Sequence, residues 1–298
     1  MTYNHDQAVV MLFGGADERQ VLADLWAWDG EQWRCLSEGG PPPRTFPSLA
    51  YDSARKRLIL FGGNRVLFGT AEDTTTFLND MWAWDGQTWH QIDAAMPPAR
   101  AEASIAYDSD RQRIVLWGGY HTVNGEIMRL GDTWEWDGHR WEQKSLNGPF
   151  PRHGAAMVYD THRKRVVLFG GNGASGETWE WDGLNWERIV SAQTEGRFNS
   201  AMAYDERRRA IIRFGGWNGR ERVGDTWSYD GTQWMRFAND GPAARNHTSM
   251  AYDNERETIV LLGGHDGARV FGDTWEWNGS TWSQIREREP RLRVDNGH

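Results

Sequence analysis

Six tryptophan-rich segments, each preceded by a glycine doublet and a run of apolar residues, predict an all-β chain folded as a six-bladed β-propeller. The segments are "LWAWDGEQW" at 25, "MWAWDGQTW" at 81, "TWEWDGHRW" at 133, "TWEWDGLNW" at 178, "TWSYDGTQW" at 226 and "TWEWNGSTW" at 274. The doublets are Gly14-Gly15, Gly62-Gly63, Gly118-Gly119, Gly170-Gly171, Gly215-Gly216 and Gly263-Gly264, spaced by 48, 56, 52, 45 and 48 residues. That period suits a four-stranded blade. Seventeen of the 19 tryptophans occupy repeat-equivalent places, so they are core material before they are ligand contacts. The whole chain, 1–298, is expected to form a single domain.

Each repeat predicts four short antiparallel strands. Strand A ends in "AYD" or "VYD", at Tyr51, Tyr107, Tyr159, Tyr204 and Tyr252. Strand B is a nearly continuous apolar run such as "RLILFGG", which suits burial on both faces. Strand C is W-x-W, whose alternation puts both rings on one side of the sheet. Asp-Gly, or Asn278-Gly279, then supplies residues tolerant of positive φ for a hairpin. Strand D carries the third aromatic: Trp33, Trp89, Trp141, Trp186, Trp234 or Trp282. A blade cannot bury its own flat faces, so these rings are expected to pack between neighbouring blades.

This pattern resembles the Kelch repeat family, in a tryptophan-rich, bacterial-type variant, and the resemblance covers essentially the whole chain. A shorter C–D turn, as in Trp28-Asp29-Gly30-Glu31-Gln32-Trp33, is the one departure. The resemblance implies a Kelch-type propeller whose two chain ends share one blade.

The spacing points the same way. An arginine follows each strand-D tryptophan by eleven residues: Arg44, Arg100, Arg152, Arg197, Arg245 and Arg293. "MTYNHDQAVVMLFGG" aligns without gaps to "MAYDERRRAIIRFGG" at 202–216, so Met1 enters midway through a strand A. Segment 286–298 is therefore expected to complete the first blade and close the ring. The repeated arginines, and the acids Asp24, Asp80, Asp132, Glu177, Asp225 and Asp273 ahead of strand C, are expected to fasten loops to each other. Periodic acids do not form a catalytic pair.

Composition limits the partners. Net charge is −9 and basic residues are scattered, whereas a phosphate-tracking surface needs clustered cations. No nucleic acid is expected. No apolar run approaches the roughly 18–20 residues that span a bilayer, and the first residues lack a secretory plan. The expected setting is cytoplasmic, without a membrane partner, and the expected state is a monomer. Cys35 is the single cysteine, which rules out an intrachain disulfide and CxxC metal sites.

Function is expected on the face made by the B–C and D–A loops, because the A–B and C–D turns are uniform while these vary. The B–C segments are 16–23, 64–79, 120–131, 172–176, 217–224 and 265–272, longest in blades two and three. Loops on a rigid scaffold are where binding residues concentrate. In Kelch adaptors of the ubiquitin system this face grips peptides through residues just after the doublet and just after the arginine. The resemblance thus implies Asn64, Arg65, Tyr120, His121, Asn172, Trp217, Asn218, His265 and Asp266 from the first set. From the second it implies Phe46, Glu102, His153, Phe198, Asn199, Asn246 and His247. Trp217 breaks the tryptophan register inside a loop, so binding and loop packing are equally open to it. Trp117 replaces the phenylalanine of "LFGG" and is core.

Some Kelch propellers are enzymes, and their marks are missing. Galactose oxidase needs copper and a cysteine–tyrosine crosslink, whereas Cys35 lies on the wrong segment. The iron-binding E-x3-D-x3-H pattern of plant specifier proteins is not found. A mutarotase-like funnel needs acid–base groups, for which Glu102, His153, His121, His247 and His265 are the residues at hand. Metal ligation by His121, His153, His247 and His265 competes with the plainer reading of scattered surface histidines. The expectation is a non-catalytic scaffold for a peptide, protein or glycan, with no cofactor and no metal. The alternative is a small-molecule isomerase, mutarotase or lyase in the central funnel.

Overall fold

In the computed structural model, six four-stranded antiparallel sheets are arranged as the blades of a propeller. The structure describes residues 1–285, apart from 18, 68–75, 146, 174–175, 193 and 238–239. Blade two is typical, with strands Ser48–Asp52, Arg57–Asn64, Phe77–Trp84 and Trp89–Gln91 in sheet order. Blade three adds a hairpin, Tyr120–Val123 with Glu126–Arg129, turned by Asn124 and Gly125 at φ of 52° and 81°. Blade one begins with a three-residue strand, Thr2–Asn4, paired to Val9–Met11. The segment expected to complete it, 286–298, lies outside the described residues.

The core is divided among the seams between blades. Ile59, Phe61 and Met81 of blade two pack with Ile114, Leu116, Trp136 and Trp141 of blade three. Ala251 and Val260 of blade six pack with Tyr3, Val10, Trp28 and Trp33 of blade one, so the circle closes. Each buried indole removes enough apolar area for roughly 4–6 kcal/mol of gross hydrophobic free energy. The seams therefore hold the fold, and the tryptophans are their filling.

Indole hydrogen bonds fasten the same seams, all in one rotational sense. Trp33, Trp186, Trp234 and Trp282 each donate Nε1 to the threonine that opens strand C of the preceding blade. Those acceptors are Thr274, Thr133, Thr178 and Thr226, at 2.8–3.0 Å. Where that threonine is Met81, Trp141 meets its sulfur at 3.3 Å; where it is Leu25, Trp89 Nε1 finds no acceptor.

The C–D connection differs from the expected tight turn. It is a four-residue loop in which only the glycine has positive φ, 98° at Gly30. Asp29 closes it through Oδ1, which accepts from the backbone N–H of Glu31 and Gln32 at 3.0 and 2.9 Å. The aspartate is chosen for its carboxylate, as in other Asx turns.

The arginines and acids fasten loops as the periodicity suggested. Arg44 pairs bidentately with Asp80 at 2.6 and 2.9 Å, and Arg100 with Asp132 at 2.7 and 2.9 Å. Each also donates to the carbonyl of the first doublet glycine, Gly62 or Gly118. The arginine's own carbonyl accepts from the second doublet glycine of the preceding blade, as in Gly63 N–H to Arg100 at 2.9 Å. One residue thus clamps two blades. Asp24 accepts the Trp26 indole, and the arginine in register with it, Arg293, lies outside the described residues.

Candidate functional site

The D–A loops converge near the axis in a regular way. The second residue after each clamping arginine is left-handed: Phe46 at φ 53°, Glu102 at 50°, Gly154 at 63°, Asn199 at 52° and His247 at 55°. Their backbones are linked in series. Glu102 N–H donates to the Phe46 carbonyl, Gly154 to Glu102, Asn199 to Gly154 and His247 to Asn199, at 2.9–3.3 Å. This girdle sets five side-chain positions on five successive blades. Glycine is required at 154, where a Cβ would stand 2.4 Å from the Phe198 ring and 2.2 Å from Asn199 Oδ1.

A second tier lies just outside. The residue after each doublet pairs with the residue after each arginine: Asn64 with Thr45, Tyr120 with Ala101, Trp217 with Phe198 and His265 with Asn246. Asn172 N–H donates to the His153 carbonyl in the same manner. Of the expected residues, Asn64, Tyr120, Asn172, Trp217 and His265 thus form one row of a small ladder, and His153, Phe198 and Asn246 lie in the other.

Side chains from these rows meet over the girdle. His153 Nδ1 lies 2.8 Å from Glu102 Oε2, and His247 Nε2 lies 3.5 Å from Oε1. Asn199 Nδ2 reaches both Glu102 Oε2 and His247 Nε2. Asn172 Nδ2 is 3.1 Å from His153 Nε2, and His265 Nε2 is 3.1 Å from His247 Nδ1 with the two rings stacked. Aromatic walls surround this network: Phe46 against His247 at 5.2 Å, Tyr120 against His153 at 4.6 Å and Phe198 against His153 at 5.2 Å.

Burial alone would raise the Glu102 carboxyl pKa. Hydrogen bonding from His153 and His247 outweighs it and holds the value at about 2, so the site carries a fixed carboxylate at neutral pH. Burial, with His247 and Arg222 nearby, pushes His265 down to about 4. A base whose folded pKa is depressed is protonated first in the unfolded chain. Stability is thus expected to fall as pH drops from about 6.5 toward about 4. His265→Asn should flatten that part of a melting-temperature profile. Below it, the Glu102 contribution, present above about 4.5, is lost toward about 2 in both proteins.

The remaining expected residues lie elsewhere. Asn64 is buried in its bridge, and its Oδ1 accepts from Val66 N–H. Arg65 is exposed, and His121 sits on the blade-three hairpin. Asn218 and Asp266 cap their own turns, each accepting two backbone N–H groups through Oδ1. Asn246 is buried and accepts from Arg222 Nε at 2.9 Å. Arg222 was not among the expected residues, yet its guanidinium lies 5.3 Å from the Trp217 ring centre. Phe77, behind Tyr120 at 5.3 Å, was also missed. The "NG" at 218–219 marks the small hairpin that brings Arg222 back over Trp217. Among the described residues no group of three or more His, Cys, Asp or Glu is placed to hold a metal ion. No helix among them is long and apolar enough to cross a membrane.

No family model matches the chain. It is 28% identical to Acyl-CoA-binding domain-containing protein 5 of Arabidopsis thaliana over 132 residues, 42% of this chain and 19% of that protein. It is 25% identical to Mei4-dependent protein 6 of Schizosaccharomyces pombe over 194 residues, 57% of this chain and 27% of that protein. It is 26% identical to the dynein alpha chain of the flagellar outer arm of Chlamydomonas reinhardtii over 152 residues, 48% of this chain and 3% of that protein. The matched stretches thus span well under a third of each of these relatives.

Proposed function

We propose that the chain is a Kelch-type, non-catalytic recognition scaffold that takes a peptide, protein or glycan on the face formed by its B–C and D–A loops. The observation that carries this reading is the meeting of Glu102, His153, Asn172, Asn199, His247 and His265 inside walls of Phe46, Tyr120 and Phe198. Half-buried Phe46, Phe198 and His247 beside a buried, mutually bonded polar cluster give the loop face an aromatic rim with a few fixed polar groups, the make-up of a recognition site. The three relatives' names describe no common activity, as expected where one scaffold serves different proteins.

An isomerase, mutarotase or lyase reading has one observation in its favour, the Glu102–His153 contact. Against it, a carboxyl held at about 2 is far from the working range of a general acid or base at neutral pH.

Purified protein screened on arrayed glycans and short peptides should retain at least one class. Trp217→Ala and Phe46→Ala should each weaken that binding by roughly 30-fold, the effect of removing an aromatic anchor worth about 2 kcal/mol. Unaltered binding in both variants would remove this face from consideration.

A further inference from the structure

Blade five breaks the pattern of strand B. Leu12, Leu60, Leu116, Leu168 and Leu261 fill one position in the other five blades, and Arg213 fills it here. Its side chain is fully buried in the seam with blade four, 4.2 Å from the Phe169 ring centre, 4.9 Å from Trp234 and 5.1 Å from Trp227. These rings stabilise a cation through their faces but offer no acceptor to its edge. Among the described residues, Nε, Nη1 and Nη2 of Arg213 have no hydrogen-bond partner.

The neighbouring clamp is altered as well. Arg44, Arg100, Arg152 and Arg245 each donate Nε to the carbonyl two residues earlier and Nη1 to the first doublet glycine. Arg197 makes neither bond. It donates Nη1 to the Gly196 carbonyl, pairs through the same nitrogen with Glu195 Oε2 at 3.0 Å, and donates Nη2 to Asp225 Oδ2; among the described residues its Nε and Asp225 Oδ1 find no partner. Glu195, the Arg197 partner, is 71% exposed, and Arg236, 4.0 Å from Asp225, is 53% exposed, so solvent screens both of these outer charges. Among the described buried groups of this seam, Asp225 is the carboxylate beside Arg197, and Arg213 bonds to none. A buried charge without a counter-charge is strongly disfavoured.

We propose that Arg213 and Arg197 together bind a small monovalent inorganic anion in the seam between blades four and five. The anion supplies an acceptor to the Arg213 edge and to Arg197 Nε, and a counter-charge to the buried Arg213. Because Phe198 and Asn199 follow Arg197 directly, the site also abuts the loop that feeds the candidate face.

Melting temperature measured at constant ionic strength, exchanging sodium gluconate for sodium chloride, tests this. Wild-type protein should gain about 2–4 °C as chloride rises to ~0.2 M, since a ligand bound only by the folded state stabilises it. Arg213→Leu, the residue of the other five blades, should show no chloride-specific gain. A wild-type crystal grown in bromide should show an anomalous peak within hydrogen-bonding reach of Arg213, a readout independent of how any variant folds. An equal chloride response in both proteins, no response in wild type, or no bromide at Arg213 overturns the assignment.

Discussion

Gly170→Ala is expected to lower stability by about 2–5 kcal/mol, combining the cost of a left-handed alanine with that of overpacking. Gly170 has φ 74°, and a Cβ there would stand 2.3 Å from the Arg197 carbonyl oxygen. That oxygen cannot retreat freely, because it accepts from Gly171 N–H at 2.8 Å. The melting temperature should fall by roughly 3–8 °C. Gly15→Ala is the internal control: its φ is 100°, but nothing lies within 4 Å of the added carbon. Only the conformational part of the cost, about 1–2 kcal/mol, applies to it. Equal losses in the two variants would show that the doublets matter for their dihedrals alone and not for their approach to the arginine.

Arg100→Leu should cost about 3–5 kcal/mol at neutral pH, the usual effect of stranding one partner of a buried ion pair. The side chain is fully buried; it holds Asp132 bidentately and donates to the carbonyls of Pro98 and Gly118. Burial works to raise the Asp132 carboxyl, and Arg100 more than reverses this, so the folded pKa lies below 3.8. A depressed carboxyl adds stability above its unfolded pKa and loses it as pH falls through the folded value. In Arg100→Leu the sign inverts, since the stranded carboxyl is raised and protonation relieves it. The variant should therefore recover part of its deficit as pH is lowered and the stranded carboxyl protonates, measured by thermal melts, and adding Asp132→Asn should remove that recovery. A pH-independent deficit would mean that packing, and not the ion pair, sets the loss.

The fold was legible because its cues recur. The W-x-W pairs, the doublets and the eleven-residue interval from tryptophan to arginine each repeat around the ring, and each has its place in the seams. The C–D loop was misjudged in detail, since Asp-Gly suggests positive φ at both residues, whereas Asp29 works through its carboxylate. The network over the girdle was much less legible. Glu102 meets His153 from 51 residues away and Asn199 from 97, and no local spacing announces such contacts. What joins them is their shared offset, two residues or one after each clamping arginine. Arg213 needed only the comparison of six aligned strands to stand out, but its lack of partners is a fact of packing alone.

The girdle links Phe46, Glu102, Gly154, Asn199 and His247 through amides and carbonyls only. An aromatic, an acid, a bare hydrogen, an amide and an imidazole therefore sit on equivalent mountings. At every mounting but 154, where a side chain would meet Phe198 and Asn199, mutation can exchange the fitting while the backbone stays fastened. A propeller made this way can change the chemistry of its loop face one blade at a time.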